Sequence, residues 1–217
     1  MIHMTRRGVV VLGSEEDFLQ SRRAFAVNHC LRLERFVEAE LLAVVHQALA
    51  VAPFHDRTHD GIGTELCLSE GPLSAALEFL WNSPALSAAI DRITGCGPIG
   101  CFEGRVYRML PAEGHYDSWH SDVGEDRRIA MSVNMSIARY EGGVTELRRV
   151  DEEAPFHRIA NTGLGDAIIF QIDPALRHQV TKVTAREAKT AYAGWFRTTP
   201  DYPTLFRQRH DLPVSRG

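Results

Sequence analysis

Residues 107–122, YRMLPAEGHYDSWHSD, end in the three residues around which the rest of the chain is best interpreted. His120 and Asp122 are two positions apart, and side chains two apart in an extended strand point to the same face. One imidazole nitrogen and one carboxylate oxygen then converge on a point that a metal ion can occupy. The stretch therefore predicts two ligands of a metal site, provided that a third ligand follows.

The same stretch holds a competing pair, His115 and Asp117, with the same spacing. Because the chain has 10 histidines, a single His-x-Asp match is weak support for a metal site. His115 follows Gly114 in a predicted turn, whereas His120 ends a predicted strand and precedes a loop. The sequence therefore favours His120 and Asp122.

The composition is that of an ordinary folded protein, with 217 residues of which 44% are hydrophobic and 24% charged. The net charge of -4 argues against a nucleic-acid or anionic-membrane partner, since both favour basic surfaces. We find no apolar run near the roughly 20 residues that span a bilayer, and the N-terminal segment is too short and strand-like for a signal peptide. The 4 cysteines form no disulfide framework, so we expect a cytoplasmic protein.

The first half of the chain is mainly helical in its hydrophobic periodicity. Ser14 has capping-box character, and Pro72 and Pro84 occupy favourable first-turn positions. Gly, Pro and Asp predict a loop between residues 52 and 64. The predicted helices span residues 14–22, 36–50, 72–81 and 84–94, and the predicted strands of this half span residues 8–12 and 26–34.

From residue 100 the pattern changes to short strands separated by turn residues, which indicates a sandwich, jelly roll or small barrel. We therefore predict an α+β fold in a single domain, residues 1–217. Residues 1–99 form a mainly helical support, 100–197 the β core and 198–217 a C-terminal tail packed on the outside. The predicted strands of the core span residues 101–110, 116–122, 127–136, 143–150, 155–160, 166–172, 177–183 and 188–197.

His178 is the best candidate for the third ligand. It follows the apolar strand 166–172 and lies where two strands pass the mouth of a β-sandwich. Two histidines and one carboxylate on one face of a metal leave positions open for a co-substrate and O₂, which suits non-haem Fe(II). Arg186 and Lys189 follow on the next strand, where a cation can pair with the distal carboxylate of a small dicarboxylate.

Fragments along the chain resemble the Fe(II)/2-oxoglutarate-dependent oxygenases, and within them the prolyl-4-hydroxylase-like branch. The resemblance spans about residues 102–197, and its fragments occur in the family's order. They are YRMLPAEGHYDSWHSD at 107–122, RIAMSVNMS at 128–136, YEGGVTEL at 140–147, GDAIIF at 165–170, His178 with Val180 and Val183, and the pair Trp195-Phe196.

The resemblance implies a double-stranded β-helix (jelly-roll) core with the N-terminal helices packed against it. It implies Fe(II) held by His120, Asp122 and His178, and 2-oxoglutarate as co-substrate, with ascorbate as a possible reductant. The reaction it implies is hydroxylation of a C–H bond with release of succinate and CO₂. An intact Asp122 favours hydroxylation over halogenation, since related halogenases replace this carboxylate with a small residue.

Several residues are candidates for binding the co-substrate. Lys189 stands six residues before Trp195, as the family's basic residue usually does, and Arg186 is the alternative. Ser132 and Asn134 share one face of their predicted strand and offer a small polar wall for the pocket. Asn134 stands where the family often has a tyrosine, and its amide can still donate to a carboxylate.

The substrate is not readable from the sequence, because the loops around such a site set specificity. An amino acid, a peptide or protein side chain and a small natural product all remain open, as do the oligomeric state and desaturation or cyclisation. Two other classes also remain: a cupin-like metal-dependent enzyme that does not use 2-oxoglutarate, and a non-enzymatic β-sandwich binding or sensing module.

Overall fold

The computed structural model describes residues 2–111, 113–124, 126–184 and 186–210. Residues 211–217 of the predicted tail lie outside the described part. The helices are α1 Glu15–Asn28, α2 Ala39–Val51, α3 Pro72–Trp81, α4 Pro84–Thr94 and α5 Tyr202–His210. The strands are β1 Ile2–Thr5, β2 Gly8–Val11, β3 Cys30–Leu33, β4 Phe54–His59, β5 Gly63–Leu68, β6 Cys101–Met109, β7 Tyr116–His120, β8 Arg127–Asn134, β9 Thr145–Arg149, β10 His157–Ile159, β11 Ala167–Gln171, β12 Leu176–Val180 and β13 Lys189–Arg197.

The strands from β3 onwards form one antiparallel sheet that curls on itself. Its order is β10-β9-β12-β7-β5-β6-β13-β8-β11-β3, with β4 added to β5, and β1 pairs with β2 in a separate hairpin. β5 joins the two halves of the curled sheet because it pairs with both β6 and β7. The predicted double-stranded β-helix core is confirmed, and all eight strands predicted beyond residue 100 are present.

The helices cover one face of the larger half of the sheet, and strand alternation separates this face from the interior of the curl. On β13, Tyr192 and Phe196 pack into the main hydrophobic cluster, together with Trp81 of α3. Tyr192 meets Trp81 edge to face at 4.9 Å between ring centroids. Ala191 and Trp195 point to the other side, where separate clusters line the interior. The interior face of β13 is therefore free to build a site.

Helix boundaries follow the local sequence. Ser14 caps α1 in a capping box with Asp17, an arrangement that contributes about 1 kcal/mol. α3 and α4 begin at their prolines as predicted, and α4 ends at Gly95 in the left-handed conformation that glycine tolerates best. No helix of the described residues is both long and apolar enough to cross a membrane.

Two predictions for local structure are wrong. Residues 26–28 extend α1 rather than starting a strand, because Phe25 is buried against the core and the helix ends only at His29 in a left-handed conformation. The predicted loop 52–64 contains most of the β4–β5 hairpin. β4 lies at the sheet edge and is mostly exposed, so it shows no hydrophobic alternation to reveal it. The C-terminal tail, which was predicted to pack on the outside, contains the helix α5, and Leu205 of this helix is buried.

Candidate active site

Two histidines meet across neighbouring strands of the curl. His120 ends β7 and His178 lies in the middle of β12, and the two residues are direct partners in the antiparallel register. Their ring centroids are 4.1 Å apart. Asp122 follows the end of β7 and approaches both imidazoles. Its carboxylate lies 3.7 Å from Nε2 of His120 and 3.4 Å from Nε2 of His178.

The orientation of His120 is set by its own strand. Its Nδ1 lies 2.7 Å from the carbonyl oxygen of Ser118, a distance at which the ring N–H donates to the carbonyl. The lone pair is then on Nε2, the nitrogen that faces Asp122. Metal-binding histidines commonly donate their second ring N–H in this way, which orients the ring. The geometry of His120 is therefore that of a metal ligand.

His178 lies deeper in the curl. Its ring packs against Phe170 at 4.8 Å between centroids. Burial lowers the pKa of His178 to about 4, so the imidazole is neutral at pH 7. Neutral imidazole is the form that binds a metal ion.

Trp195 holds the carboxylate of Asp122. The indole Nε1–H donates to Oδ2 at 2.7 Å, and the guanidinium of Arg127 lies 3.6 Å from the centroid of the indole ring. The sequence predicts that Trp195 packs in the core beside the pocket, and it did not predict the hydrogen bond to Asp122. Strand alternation places Trp195 on the same face of β13 as Lys189, and this was the one sequence feature that could have indicated a role in the site.

The competing pair His115 and Asp117 is divided by the fold. His115 is buried away from the site, and its Nδ1 accepts a hydrogen bond from the amide of Leu110 at 3.0 Å. Asp117 does reach the site, because one of its oxygens lies within 4.8 Å of ring nitrogens of both His120 and His178. It approaches His120 from the Nδ1 side, at 3.5 Å. Among the described residues, the group whose ligand atoms all lie within 4.8 Å of one another is Asp117, His120 and His178, and it does not include the predicted ligand Asp122. Asp122 instead faces the Nε2 atoms, with Oδ1 toward His120 and Oδ2 toward His178, whereas the His120 nitrogen near Asp117 is hydrogen-bonded to Ser118.

Two adjoining cavities open at these residues. The inner one has a volume of about 80 Å³ and the outer one about 320 Å³, and both contact Asp117, His120, Asp122 and Trp195. Their walls also carry charged residues that the sequence analysis did not single out. Among these, buried Glu65 accepts a hydrogen bond from Nε of Arg105 at 2.9 Å and lies 3.2 Å from Nε2 of His59.

Lys189 and Arg186, the two candidates for the basic residue, lie in very different surroundings. Lys189 is buried at the start of β13, and its Nζ donates to the carbonyl of Gly143 at 2.9 Å. Burial lowers the pKa of Lys189 to about 8, while the carboxylates of Asp117 and Glu65 act in the opposite direction. Arg186 is exposed in the segment before β13. Only Lys189 is placed to face the interior of the curl.

Ser132 and Asn134 also differ in position. Ser132 lines the inner cavity from β8. The amide of Asn134 is engaged by the backbone, since Nδ2 donates to the carbonyl of Gly163 at 3.0 Å and Oδ1 accepts from the amide of Ser136 at 3.0 Å. Asn134 is therefore occupied in fixing the chain after β8 and is absent from the cavity walls that the described residues form.

Tyr107 is a further residue of the inner cavity. It is buried on β6, and its ring centroid lies 5.7 Å from Nζ of Lys189. Burial raises the pKa of its hydroxyl, which therefore stays protonated at neutral pH and can donate a hydrogen bond. Tyr107 begins the stretch 107–122, but its residue type and spacing gave no indication of this role.

Comparison with protein families gives a match over residues 104–197, from β6 to the end of β13, to the 2OG-Fe(II) oxygenase superfamily. None of the curated protein sequences matches the chain. The matched residues include the three predicted metal ligands and Lys189.

Solved structures with the same fold cover almost all of the chain. An oxidoreductase of the 2OG-Fe(II) oxygenase family from Burkholderia pseudomallei superposes with a TM-score of 0.67 at 15% identity, covering 93% of this chain and 98% of that one. A prolyl-4-hydroxylase from Pseudomonas putida gives 0.62 at 18%, with 84% and 99% covered. The epimerase SnoN in complex with Fe3+, alpha-ketoglutarate and nogalamycin RO gives 0.62 at 12%, with 94% and 93% covered. At these identities the likeness establishes the fold.

Proposed function

We propose that this chain is a 2OG-Fe(II) oxygenase, since residues 104–197 match that family, and that His120, Asp122 and His178 hold its Fe(II). We propose further that the enzyme hydroxylates a C–H bond of an amino acid, a peptide or protein side chain, or a small natural product. The observation that carries this proposal is the convergence of Asp122 on the Nε2 atoms of both histidines, at 3.7 and 3.4 Å.

The donor set suits iron. Two imidazole nitrogens and one carboxylate are the ligands of non-haem Fe(II) sites, and they leave coordination positions for other molecules. When bound, Fe(II) with 2-oxoglutarate and O₂ supplies the oxidant for the C–H bond, and 2-oxoglutarate leaves as succinate and CO₂. The protein residues orient this chemistry and control access to it.

The chain orients each proposed ligand through a second contact. Ser118 fixes the ring of His120, and Trp195 fixes the carboxylate of Asp122. Phe170 packs on the ring of His178 and keeps water from its side of the site. Such contacts limit the rotation of the ligands, so the binding geometry exists before the metal arrives.

Lys189 is the proposed partner of the distal carboxylate of 2-oxoglutarate. It occupies the interior face of β13, behind the part of the inner cavity that Tyr107 and Met109 line. A buried ammonium favours a carboxylate strongly, because few competing water contacts remain. Ser132 and Tyr107 can add hydroxyl donors from the cavity wall. Arg186 and Asn134 are not proposed, since the first is exposed and the second is bonded to the backbone.

The carboxylate of Asp122 supports hydroxylation as the outcome. Halogenation would need a halide bound at the position that the carboxylate of Asp122 occupies. Because the carboxylate leaves no place for a halide, hydroxylation of the substrate carbon is the expected reaction. The fold is also found in a protein named as an epimerase, so the fold by itself does not decide the reaction outcome.

The test is succinate release by the purified protein with Fe(II), 2-oxoglutarate and O₂, combined with mass spectrometry of candidate substrates for a gain of one oxygen. His120→Ala, Asp122→Ala and His178→Ala should each lose bound iron and turnover. Absence of succinate, together with absence of thermal stabilisation by 2-oxoglutarate and an inert divalent metal, would refute the proposal. Metal binding that Lys189→Ala leaves unaffected, without any response to 2-oxoglutarate, would instead indicate a cupin-like enzyme.

A further inference from the structure

Asp117 stands out among the charged residues of the cavities. Its carboxylate lies where the inner and outer cavities meet, and it contacts both. Its side chain is 34% exposed, so a molecule in the outer cavity can touch it. It also lies within 4.8 Å of ring nitrogens of His120 and His178, so a group bound to it is next to the proposed metal.

The neighbouring charges already have partners. Glu65 accepts from Arg105, Asp122 accepts from Trp195, and Lys189 donates to a backbone carbonyl. Each of these side chains therefore has a protein group that offsets the cost of its partial burial.

Asp117 lacks such a partner in the part of the chain that the structure describes. Among the described residues, the group within ion-pair distance of Asp117 is the imidazole of His120, with 3.5 Å between Nδ1 and Oδ1. That nitrogen donates instead to the carbonyl of Ser118 at the shorter distance of 2.7 Å. The carboxylate of Asp117 is thus an available acceptor that faces the cavity.

The other charges of the outer cavity do not serve this acceptor. The guanidinium of Arg127 lies on the ring of Trp195 and donates to the carbonyl of Asp122 at 3.3 Å. Arg57 lies on the exposed β4, where its Nη1 contacts Sγ of Cys67 at 3.9 Å. Arg105, whose charge also acts on Asp117, donates through Nε to Glu65. Among the described residues none gives the Asp117 carboxylate a side-chain hydrogen bond, so a molecule that enters the cavity can supply the donor.

We propose that Asp117 binds a protonated amine or guanidinium group of the substrate, so that the enzyme selects cationic substrates. The inference rests on the proposed function, because it places the substrate beside the proposed metal. Charge-assisted hydrogen bonds from N–H donors to a carboxylate are short and strong, and the partly buried position increases their strength. The carbon that is oxidised then lies within a few bonds of the cationic nitrogen.

The test measures binding without turnover. The protein is loaded with Mn(II) and 2-oxoglutarate, and NMR records the paramagnetic relaxation that Mn(II) induces in n-butylammonium and in its neutral analogue n-butanol. We expect saturable relaxation of the methylene next to the nitrogen. The apparent affinity for n-butylammonium should exceed that for n-butanol by about tenfold or more, as one charge-assisted hydrogen bond predicts. Asp117→Asn should reduce this preference to about twofold or less.

Asp56→Asn is the matched control, because Asp56 is an exposed acid on β4 that lies outside both cavity walls. It should keep the wild-type preference. Equal relaxation of the two probes in the wild type, or an unchanged preference in Asp117→Asn, would overturn the inference. Loss of bound Mn(II) in Asp117→Asn would overturn it as well, since Asp117 would then be a metal ligand.

The two proposals fail in distinguishable ways. If wild-type protein gives no enhancement of water relaxation over that of free Mn(II), the metal site itself is absent, and the proposed function fails together with the inference. If Mn(II) and 2-oxoglutarate bind but the probes show no preference for the cation, the inference alone fails.

Discussion

Replacing Trp195 with phenylalanine should weaken metal binding without unfolding the protein. The indole donates to Asp122 at 2.7 Å, and the side chain of Asp122 is only 16% exposed. A hydrogen bond to a charged group contributes about 1.5–3 kcal/mol, and loss of a hydrogen bond that orients a metal ligand costs about 10–100-fold in metal affinity. These two ranges agree, because about 1.4 kcal/mol corresponds to tenfold.

The assay is a competition titration with Mn(II) or Co(II), monitored together with the midpoint of thermal unfolding. Trp195→Phe keeps an aromatic ring beneath Arg127, so the expected change is an affinity lower by about 10–100-fold with a small shift in melting temperature. Trp119→Phe is the matched control, because Trp119 precedes a proposed ligand but its ring lies 4.5 Å from Arg148. Wild-type affinity in Trp195→Phe would show that Trp195 only packs, as the sequence suggests.

Three further predictions concern the co-substrate. Lys189→Ala should raise the KM for 2-oxoglutarate by about tenfold or more, whereas Arg186→Ala should leave it near the wild-type value; initial rates at varied 2-oxoglutarate decide between them. Because burial lowers the pKa of Lys189 to about 8, the ammonium is lost as the pH rises through that value. Above pH 8 the affinity for 2-oxoglutarate, measured by calorimetry, should fall with rising pH, and the slope should approach about tenfold per pH unit. Lys189→Ala should remove this pH dependence. Asn134→Ala should lower the free energy of unfolding by about 2 kcal/mol through two lost hydrogen bonds, with little effect on the KM for 2-oxoglutarate in kinetic assays.

Local signals predicted the helices and core strands well wherever they were strong. Proline at the first turn and Gly95 at the end placed α3 and α4 correctly, and turn residues separated the strands beyond residue 100. The β4–β5 hairpin escaped prediction because β4 is an exposed edge strand of polar residues, stabilised by its pairing with β5. Such a strand depends on a partner rather than on its own hydrophobic pattern.

The sequence alone predicted the jelly-roll core, the resemblance to the 2OG-Fe(II) oxygenases that the match over residues 104–197 supports, and the proposed ligands His120, Asp122 and His178. These features depend on residue type and spacing along the chain, which are local properties. The ligand assignments stay predictions until metal binding is measured. At that level the choice of Lys189 over Arg186 as co-substrate partner rested only on the spacing of Lys189 from Trp195.

Only the tertiary structure decided what surrounds the site. It buried Lys189 and left Arg186 exposed, engaged the amide of Asn134 with the backbone, and brought Trp195 to Asp122 across 73 positions. It also separated His115 from Asp117 and turned Asp117 toward the cavity. Sequence spacing cannot report these contacts, because strand register and the curl of the sheet decide which distant side chains share one enclosed space.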